Sequence, residues 1–206
     1  MDSIAIPIIF WNEINILQKT MQKIIIGVAG EIASGKDTVG KYIAEKYGAL
    51  PLRFSQLLRD ILDRMGLEQN REHMAKLSLH LRKGFGEDIL SKGILAEADK
   101  SEKELVVIDG VRRLPDMIQL EMNERFYFVY VEATPETRYG RLTKRRQNAD
   151  DETKTPAQFE KDSLLEAESQ IRDLKDRADF VINNDGTLEE LLKQVDDMVA
   201  AVKSKQ

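Results

Sequence analysis

The chain has no cysteine, no long apolar run and no excess of positive charge. Without cysteine among its 206 residues, it forms no disulfide and offers no thiolate to a metal, which fits a reducing compartment. The longest apolar run near the N-terminus, residues 4–11, is too short to span a bilayer. The net charge of −5 gives no overall basic footprint for nucleic acid. We therefore expect a soluble, cytoplasmic protein that binds neither a membrane nor nucleic acid.

The length and composition indicate a single globular domain. A chain of 206 residues with 42% hydrophobic and 33% charged residues is long enough to bury a sizeable core. Asp2 stands where a secretory signal carries basic residues, so no signal peptide is expected. Met21 lies just before the first predicted strand. We interpret residues 1–20 as an extension from an upstream start, or alternatively as an oligomer contact, and residues 21–206 as the domain. The oligomeric state is not predicted.

A glycine-bounded loop between an apolar strand and a helix dominates the sequence. The stretch 23–38 is predicted to form a buried strand, a loop and the start of a helix over 37–46, and Gly30, Gly35 and Lys36 have the spacing of a phosphate-binding loop. Small residues let backbone N–H groups turn inward, the helix N-terminus favours anions, and a lysine here reaches the outer phosphates. A chance glycine turn is the alternative. The predicted nucleotide-binding residues are Gly30, Ala33, Ser34, Gly35, Lys36, Asp37 and Thr38.

The loop departs from the usual pattern at one position. Asp37 stands where Ser or Thr normally holds magnesium, and Thr38 follows it. We expect Asp37 to bind the ion directly or through water, and Thr38 to contact an inner phosphate. A second acid, Asp109, ends the buried strand predicted over 105–108, and parallel sheets bind ligands beyond the carboxyl ends of their strands. Asp37 and Asp109 are therefore the predicted magnesium ligands.

The remaining segments alternate strands and helices. Strands are predicted over 50–54, 126–131 and 178–182, and helices over 70–98 (with a break at 84–86), after Pro135, and over 156–177. Ser55 is the predicted N-cap of a helix ending at Gly66, and Thr187 with Glu190 forms a capping box. Residues 147–155 are interpreted as a lid loop. This alternation predicts an α/β fold with a parallel sheet covered on both faces.

The helix after Pro135 carries a run of cations. A solvated basic face is the ordinary explanation of such a run, but next to triphosphate chemistry cations neutralise the spreading charge. The run comprises Arg138, Arg141, Lys144, Arg145 and Arg146.

These segments together resemble the P-loop nucleoside monophosphate kinases, especially the adenylate-kinase-related proteins of archaea. The Gly-Lys-Asp-Thr sequence is similar to the loop of phage deoxynucleoside monophosphate kinases, and the resemblance runs from Lys23 to the C-terminus. It implies a three-layer P-loop NTPase fold with five parallel strands in the order 2-3-1-4-5, helices on both faces and a small helical acceptor and lid region. ATP and Mg²⁺ are implied with it.

The resemblance also implies roles for particular arginines. The stretch from Ser55 to Arg59 resembles the family's acceptor element, with Gln56 in place of its aspartate, and makes Arg59 a clamp on the acceptor phosphate. Asp109-Gly110-Val111-Arg112-Arg113 resembles an Asp-Gly-x-x-Arg element in which either arginine grips the phosphate. Arg141, Arg145 and Arg146 resemble lid arginines that close over the donor.

Dephospho-CoA kinases are the competing resemblance, through residues 178–188 and the spacing of Arg141 and Arg145. A kinase acting on a sugar hydroxyl benefits from a base, which in that family is an aspartate after the second strand. Here that stretch has no acid before Asp60, whereas Arg53, Arg59 and Arg112 suit an anionic acceptor.

We therefore expect transfer of the γ-phosphoryl group of ATP to a small phosphorylated acceptor, a nucleoside monophosphate. Lys36, Asp109, Arg112, Arg141 and Arg145 are the predicted catalytic residues. The predicted acceptor-binding residues are Arg53, Ser55, Arg59, Arg112 and Arg113. The alternatives are a dephospho-CoA kinase, and a nucleotide-binding regulatory ATPase in which Arg53, Arg59 and Arg112 are surface charges.

Overall fold

A five-stranded parallel sheet forms the centre of the molecule. The computed structural model describes residues 23–145, 155–163 and 166–205. The strand order is β2-β3-β1-β4-β5 and every neighbouring pair is parallel, as predicted. The strands are β1 Ile24–Ala29, β2 Leu50–Arg53, β3 Leu105–Asp109, β4 Phe126–Glu132 and β5 Phe180–Asn183.

Helices connect the strands and cover both faces of the sheet. Short 3₁₀ turns at Leu114–Asp116 and Lys175–Arg177 add to them. The helices are α1 Lys36–Tyr47, α2 Phe54–Arg64, α3 Arg71–Phe85, α4 Ile89–Asp99, α5 Pro135–Arg145, α6 Pro156–Ser163, α7 Glu166–Asp173 and α8 Leu188–Ser204. Among the described residues, no helix is both long and apolar enough to cross a membrane.

The central strand β1 separates two hydrophobic layers. All six of its residues are buried, and because side chains alternate along a strand, consecutive residues face opposite layers. Ile24 and Ile26 pack in the layer that contains α1 and α8, whereas Ile25 packs in the layer that contains α2 and α4. This two-sided burial fixes the carboxyl end of β1, where the glycine loop begins.

Several predicted boundaries differ from the structure. The last strand, predicted over 178–182, spans Phe180–Asn183, and Phe54, predicted in the second strand, begins α2. Ser55 is not an N-cap: β2 runs directly into α2, so the cap position falls on Arg53 and Ser55 lies in the first helical turn. The helix predicted to reach residue 177 ends at Asp173, and residues 175–177 form a 3₁₀ turn. The capping box of Thr187 and Glu190 is present at the start of α8.

Several predictions fall on residues outside the described ranges. They are the extension over 1–20, Arg146, and the lid loop over 147–155 apart from Thr155. These stay predictions.

Candidate phosphate-binding site

The loop between β1 and α1 folds back on itself at the carboxyl edge of the sheet. The Ser34 N–H donates to the Glu31 carbonyl over 3.1 Å, and Ala33 and Gly35 both adopt left-handed conformations, with φ of 61° and 98°. Left-handed residues interrupting a turn point successive backbone N–H groups into one concavity, the geometry that binds anions. The loop ends at Lys36, the first residue of α1, where the N-terminal N–H groups add positive potential.

Neither loop glycine leaves room for a side chain. A Cβ on Gly30 would lie 2.4 Å from the Val131 carbonyl oxygen and 2.5 Å from Ser34 Oγ. A Cβ on Gly35 would lie 2.1 Å from the amide nitrogen of Asn184. The two glycines are therefore required by packing as well as by backbone conformation.

Asp109 brings a buried carboxylate to the same edge. The register pairs Val28 of β1 with Asp109 at the end of β3, and Arg53, the last residue of β2, is also paired with Asp109. Arg53 Nη2 lies 2.9 Å from Asp109 Oδ2. Burial raises the pKa of Asp109, and nearby Asp37 raises it further, while Lys36, Arg53 and Arg112 oppose the rise. Two acids and three cations thus act on one small volume.

Three buried side-chain atoms around the loop have neither a hydrogen bond nor an ion pair within the described part of the chain, unlike Glu31 Oε1, which pairs with Arg138. They are Ser34 Oγ, Asp109 Oδ1 and Arg141 Nη1. Buried polar atoms are paired in the great majority of cases, so unpaired ones at one site indicate groups that a ligand completes. Their chemistry is mixed: a hydroxyl, a carboxylate oxygen and a guanidinium nitrogen.

The acids fit a magnesium ion shared with a ligand rather than held by protein alone. Mg²⁺ prefers oxygen ligands and is usually bound by one or two carboxylates together with water and phosphate oxygens. Asp109 supplies the unpaired oxygen, and Asp37, 46% exposed and 3.4 Å from Lys36 Nζ, supplies a second carboxylate nearby. No group of three or more potential metal ligands occurs among the residues with described positions.

Comparison with known sequences places the chain in two families. The model described as an AAA domain matches residues 27–160, well over half of the chain. The UPF0200 protein of Pyrobaculum aerophilum is 32% identical over 175 residues, which cover 83% of this chain and 94% of that protein. The chain belongs to the AAA domain and UPF0200 families. The UPF0200 protein of Thermococcus kodakarensis is 30% identical over 186 residues, covering 88% and 99% of the two chains.

Several solved structures, two of them named as kinases, share the fold of this UPF0200 chain. TT1252 from Thermus thermophilus superposes with a TM-score of 0.60 at 19% identity, covering 87% of this chain and 98% of that one. Shikimate kinase from Bacteroides thetaiotaomicron gives 0.58 at 17% identity, with the same coverage. A gluconokinase from Sinorhizobium meliloti gives 0.56 at 14% identity, covering 90% and 95%. At these identities the likeness establishes the fold, a P-loop kinase fold.

The predicted site residues divide into those that meet at the loop and those that do not. Lys36, Asp37, Arg53 and Arg112 all act electrostatically on Asp109. Arg141 reaches the loop indirectly, since its Nη2 donates to Asn184 Oδ1 over 3.3 Å.

Four predicted residues make no described contact with the loop. Arg59 Nη1 donates to the Gln69 carbonyl, in the connection between α2 and α3. Arg113 is exposed and Ser55 is half-buried. Arg145 ends α5, and its side chain is not among those described.

Two contributors to the UPF0200 site were not among the predicted site residues, although Arg138 was named in the cation run of the helix after Pro135. Asn184 is buried after β5, and its Nδ2 donates to the Ser34 carbonyl over 2.7 Å. Arg138, predicted only as part of a basic helix face, is buried and lies 3.2 Å from Glu31 Oε1 of the loop. The signal for Arg138 was its place one helical turn before Arg141. The turn sequence of Asn184 predicts a loop, and nothing in it predicts contact with a residue 150 positions away.

Proposed function

We propose that the protein transfers the γ-phosphoryl group of ATP to a small acceptor that itself carries a phosphate, such as a nucleoside monophosphate. Within the described residues, the buried Ser34 Oγ, Asp109 Oδ1 and Arg141 Nη1 around one glycine loop have no hydrogen-bond partner, and this is the observation that carries the proposal. A hydroxyl, a metal-binding oxygen and a cation, together with inward-facing amides, match the needs of a magnesium-bound triphosphate.

Each residue at the loop has a role in this reaction. The loop amides and Lys36 hold the β- and γ-phosphates, and Asp37 with Asp109 holds the magnesium ion. Bound there, the ion would neutralise negative charge that develops during transfer. Arg141, whose Nη1 has no partner among the described residues, stabilises the oxygens of the transferred group, and Arg145, at the end of α5, is assigned the same role.

The end of β2 favours an anionic acceptor. The residue there is a cation, Arg53, whose side chain is half-exposed and projects to Asp109. Arg112 lies near the same carboxylate, and Arg59 and Arg113 add positive charge on the elements that follow. Cations of this kind position a phosphate in line with the donor, and a phosphate acceptor is already nucleophilic, so it needs no base.

A hydroxyl acceptor is the second candidate, and one observation favours it. The pKa of Asp109 is raised, mainly by burial, which brings this carboxyl closer to the range of a general base. Dephospho-CoA belongs to this class of acceptor. In this reading Asp109 takes the proton of the attacking hydroxyl.

Release of ADP in a coupled assay separates the candidates. The purified protein is incubated with MgATP alone, with each nucleoside monophosphate, with dephospho-CoA, and with sugar hydroxyl acceptors that carry no phosphate. Release that requires a nucleoside monophosphate supports the proposal, and release that requires a hydroxyl acceptor supports the second candidate. Release independent of any acceptor contradicts both and indicates a regulatory ATPase.

Two lysines of α1, Lys36 and Lys41, give a test variant and a matched control for the role of the loop. Lys36→Ala removes the phosphate-binding cation and should reduce turnover by about a hundredfold or more. Lys41→Ala, on an exposed side chain of the same helix, should leave turnover unchanged. Most of the activity surviving in Lys36→Ala would refute the proposed role of the loop.

A further inference from the structure

We infer that Asn184 is a positioning residue that joins the phosphate-binding loop to Arg141 and so sets the affinity for the nucleoside triphosphate. The inference rests on the proposed function, because the ligand it concerns is the proposed donor. Asn184 itself touches neither the reacting atoms nor the acceptor in this scheme.

The amide of Asn184 bridges two elements that are distant in sequence. Its Nδ2 donates to the Ser34 carbonyl over 2.7 Å in a buried hydrogen bond, and its Oδ1 accepts from Arg141 Nη2 over 3.3 Å. Asn184 is only 5% exposed, so water competes little for either bond.

The bond to Ser34 orients the loop. Because Asn184 holds the Ser34 carbonyl, it fixes the peptide plane that also carries the Gly35 N–H, one of the loop amides offered to an anion. The space for the Asn184 amide exists only because Gly35 has no side chain, since a Cβ there would lie 2.1 Å from Nδ2.

The bond to Arg141 orients the cation. Nη2 is engaged by Asn184, and Nη1 is buried with no partner among the residues whose positions are described, so the guanidinium has one nitrogen fixed and one available to a ligand. Holding a cation in place before binding removes the entropy loss of ordering it, which raises affinity.

Asn184 is in turn fixed by its own backbone. The Asn184 N–H donates to the Glu132 carbonyl over 2.8 Å, and the next residue, Asp185, accepts from the Thr134 N–H just before α5. The connection after β5, the start of α5 and the loop therefore form one hydrogen-bonded unit. An amide suits the bridging position because it donates and accepts at once.

Two substitutions test the bridge, with a neighbour as control. Asn184→Asp keeps the shape and the acceptor for Arg141 but replaces the donor to Ser34 with a repelling oxygen, and Asn184→Ala removes both bonds. Asn183→Ala changes the adjacent, exposed asparagine. The dissociation constant for MgATP is measured by titration calorimetry, together with KM for ATP and for the acceptor, and with the unfolding temperature without ligand.

We expect both Asn184 variants to bind MgATP about tenfold more weakly, while KM for the acceptor and the affinity of Asn183→Ala stay at wild-type values. In an Arg141→Ala background, Asn184→Ala should weaken binding by less than it does alone, because part of its effect passes through Arg141. A purely structural role would lower the unfolding temperature without this non-additivity. Should Asn184→Ala fail to fold, the isosteric Asn184→Asp carries the test.

Wild-type MgATP affinity in a folded Asn184→Asp variant overturns the inference and leaves the proposed function standing. Additive effects of Asn184→Ala and Arg141→Ala also overturn it. A wild-type protein that binds no MgATP overturns the proposed function itself, so the two failures are distinguishable.

Discussion

At Asp109, the protonated side chain is better for folding stability, whereas the proposed magnesium site needs the ionised one. Burial raises the pKa of this carboxyl above its usual value of 3.8, so the folded protein binds a proton there more tightly than the unfolded chain does. Stability from this group is therefore fully present below the unfolded pKa and is lost as the pH rises through the folded pKa. At neutral pH the ionised, buried carboxylate of Asp109 therefore lowers the free energy of unfolding. The same negative charge is what the proposed magnesium site requires.

Asp109→Asn should therefore be more stable than the wild type at neutral pH and inactive. The amide carries no charge to desolvate, and the lost pairing with half-exposed Arg53 contributes little. Phosphoryl transfer should fall by about a hundredfold or more, because a ligand of the magnesium ion is lost. Urea unfolding without magnesium, across a range of pH, measures the first effect, and the gain should vanish in acid.

Asp185→Asn is the matched control for Asp109→Asn, because the pKa of Asp185 is shifted in the opposite direction. The backbone N–H of Thr134 lowers the pKa of Asp185, so this carboxylate stabilises the fold above its unfolded pKa and loses that effect as the pH falls. The variant should be less stable than the wild type at neutral pH. Equal pH profiles for the two variants would contradict the assignment at Asp109.

A second prediction at the residue scale concerns the close packing around Gly30. Gly30→Ala places a Cβ 2.4 Å from a backbone oxygen of β4, which cannot move without disturbing the sheet. We expect a loss of about 2 kcal/mol of unfolding free energy and weakened MgATP binding. Gly84→Ala, in α3 with open space around its Cβ position, should instead stabilise by up to about 1 kcal/mol. Equal effects in denaturant unfolding would contradict the packing argument.

Among the elements, those with strong local signals were predictable. Apolar runs located β1, β3 and β4, and the glycine spacing located the turn into α1, because burial and backbone conformation are local requirements there. The start of α2 was predicted wrongly at Ser55, since the N-cap preference is weaker than the direct continuation of β2. The partner of the Ser34 carbonyl lies 150 residues away, and no local pattern encodes such a contact.

A buried ion pair links α3 to the segment after β3. Arg82 and Asp116 each have 5% exposed side chains, and Arg82 Nη2 lies 2.5 Å from Asp116 Oδ1. The other oxygen, Asp116 Oδ2, accepts from the Arg112 N–H over 3.1 Å. Asp116 thereby holds α3 against the segment that carries Arg112.

Arg82→Met should destabilise the protein by about 4 kcal/mol, because Asp116 is left buried without its cation. Adding Asp116→Asn should recover much of that loss, since an amide needs no counter-charge and still accepts from the Arg112 N–H. Urea unfolding of both variants measures the difference. Equal stability of the single and double variants would show that the charge of Asp116 is not what the arginine compensates.

At the scale of the whole molecule, the sheet architecture was easier to predict from the sequence than the strand order or the acceptor. Alternation of strands and helices predicted the parallel sheet with two covered faces, and the strand order came only from the family resemblance, since crossover order leaves no periodic signal. The proposed reaction type rests on one loop, which the glycine spacing predicts. The identity of the proposed acceptor depends on how α2, α3 and the segment with Arg112 and Arg113 pack. Composition and spacing do not determine this packing.

The contact between α8 and α1 closes the covered face and gives the last prediction. Asp196 of α8 accepts hydrogen bonds from three side chains of α1, those of Tyr42, Lys46 and Tyr47. Lys46 is the main cause of the lowered pKa of Asp196, and burial, with the bond to Asp196, raises the pKa of Tyr47 to about 12. A carboxyl with a lowered folded pKa stabilises above its unfolded value of 3.8 and stops doing so as the pH falls through the folded pKa.

Asp196→Asn should consequently lower the unfolding temperature at neutral pH, and the difference from the wild type should shrink as the pH falls below 3.8 and through the lowered folded pKa of Asp196, where both carry a neutral side chain. Asp197→Asn, at the next and exposed position of α8, should change little. Thermal unfolding of the three proteins across this pH range is the measurement. These contacts lie in the C-terminal half of α1, away from Lys36 at its first turn, so MgATP affinity should stay constant. A pH-independent difference would mean that Asp196 acts by packing alone and that its charge does not hold the two helices together.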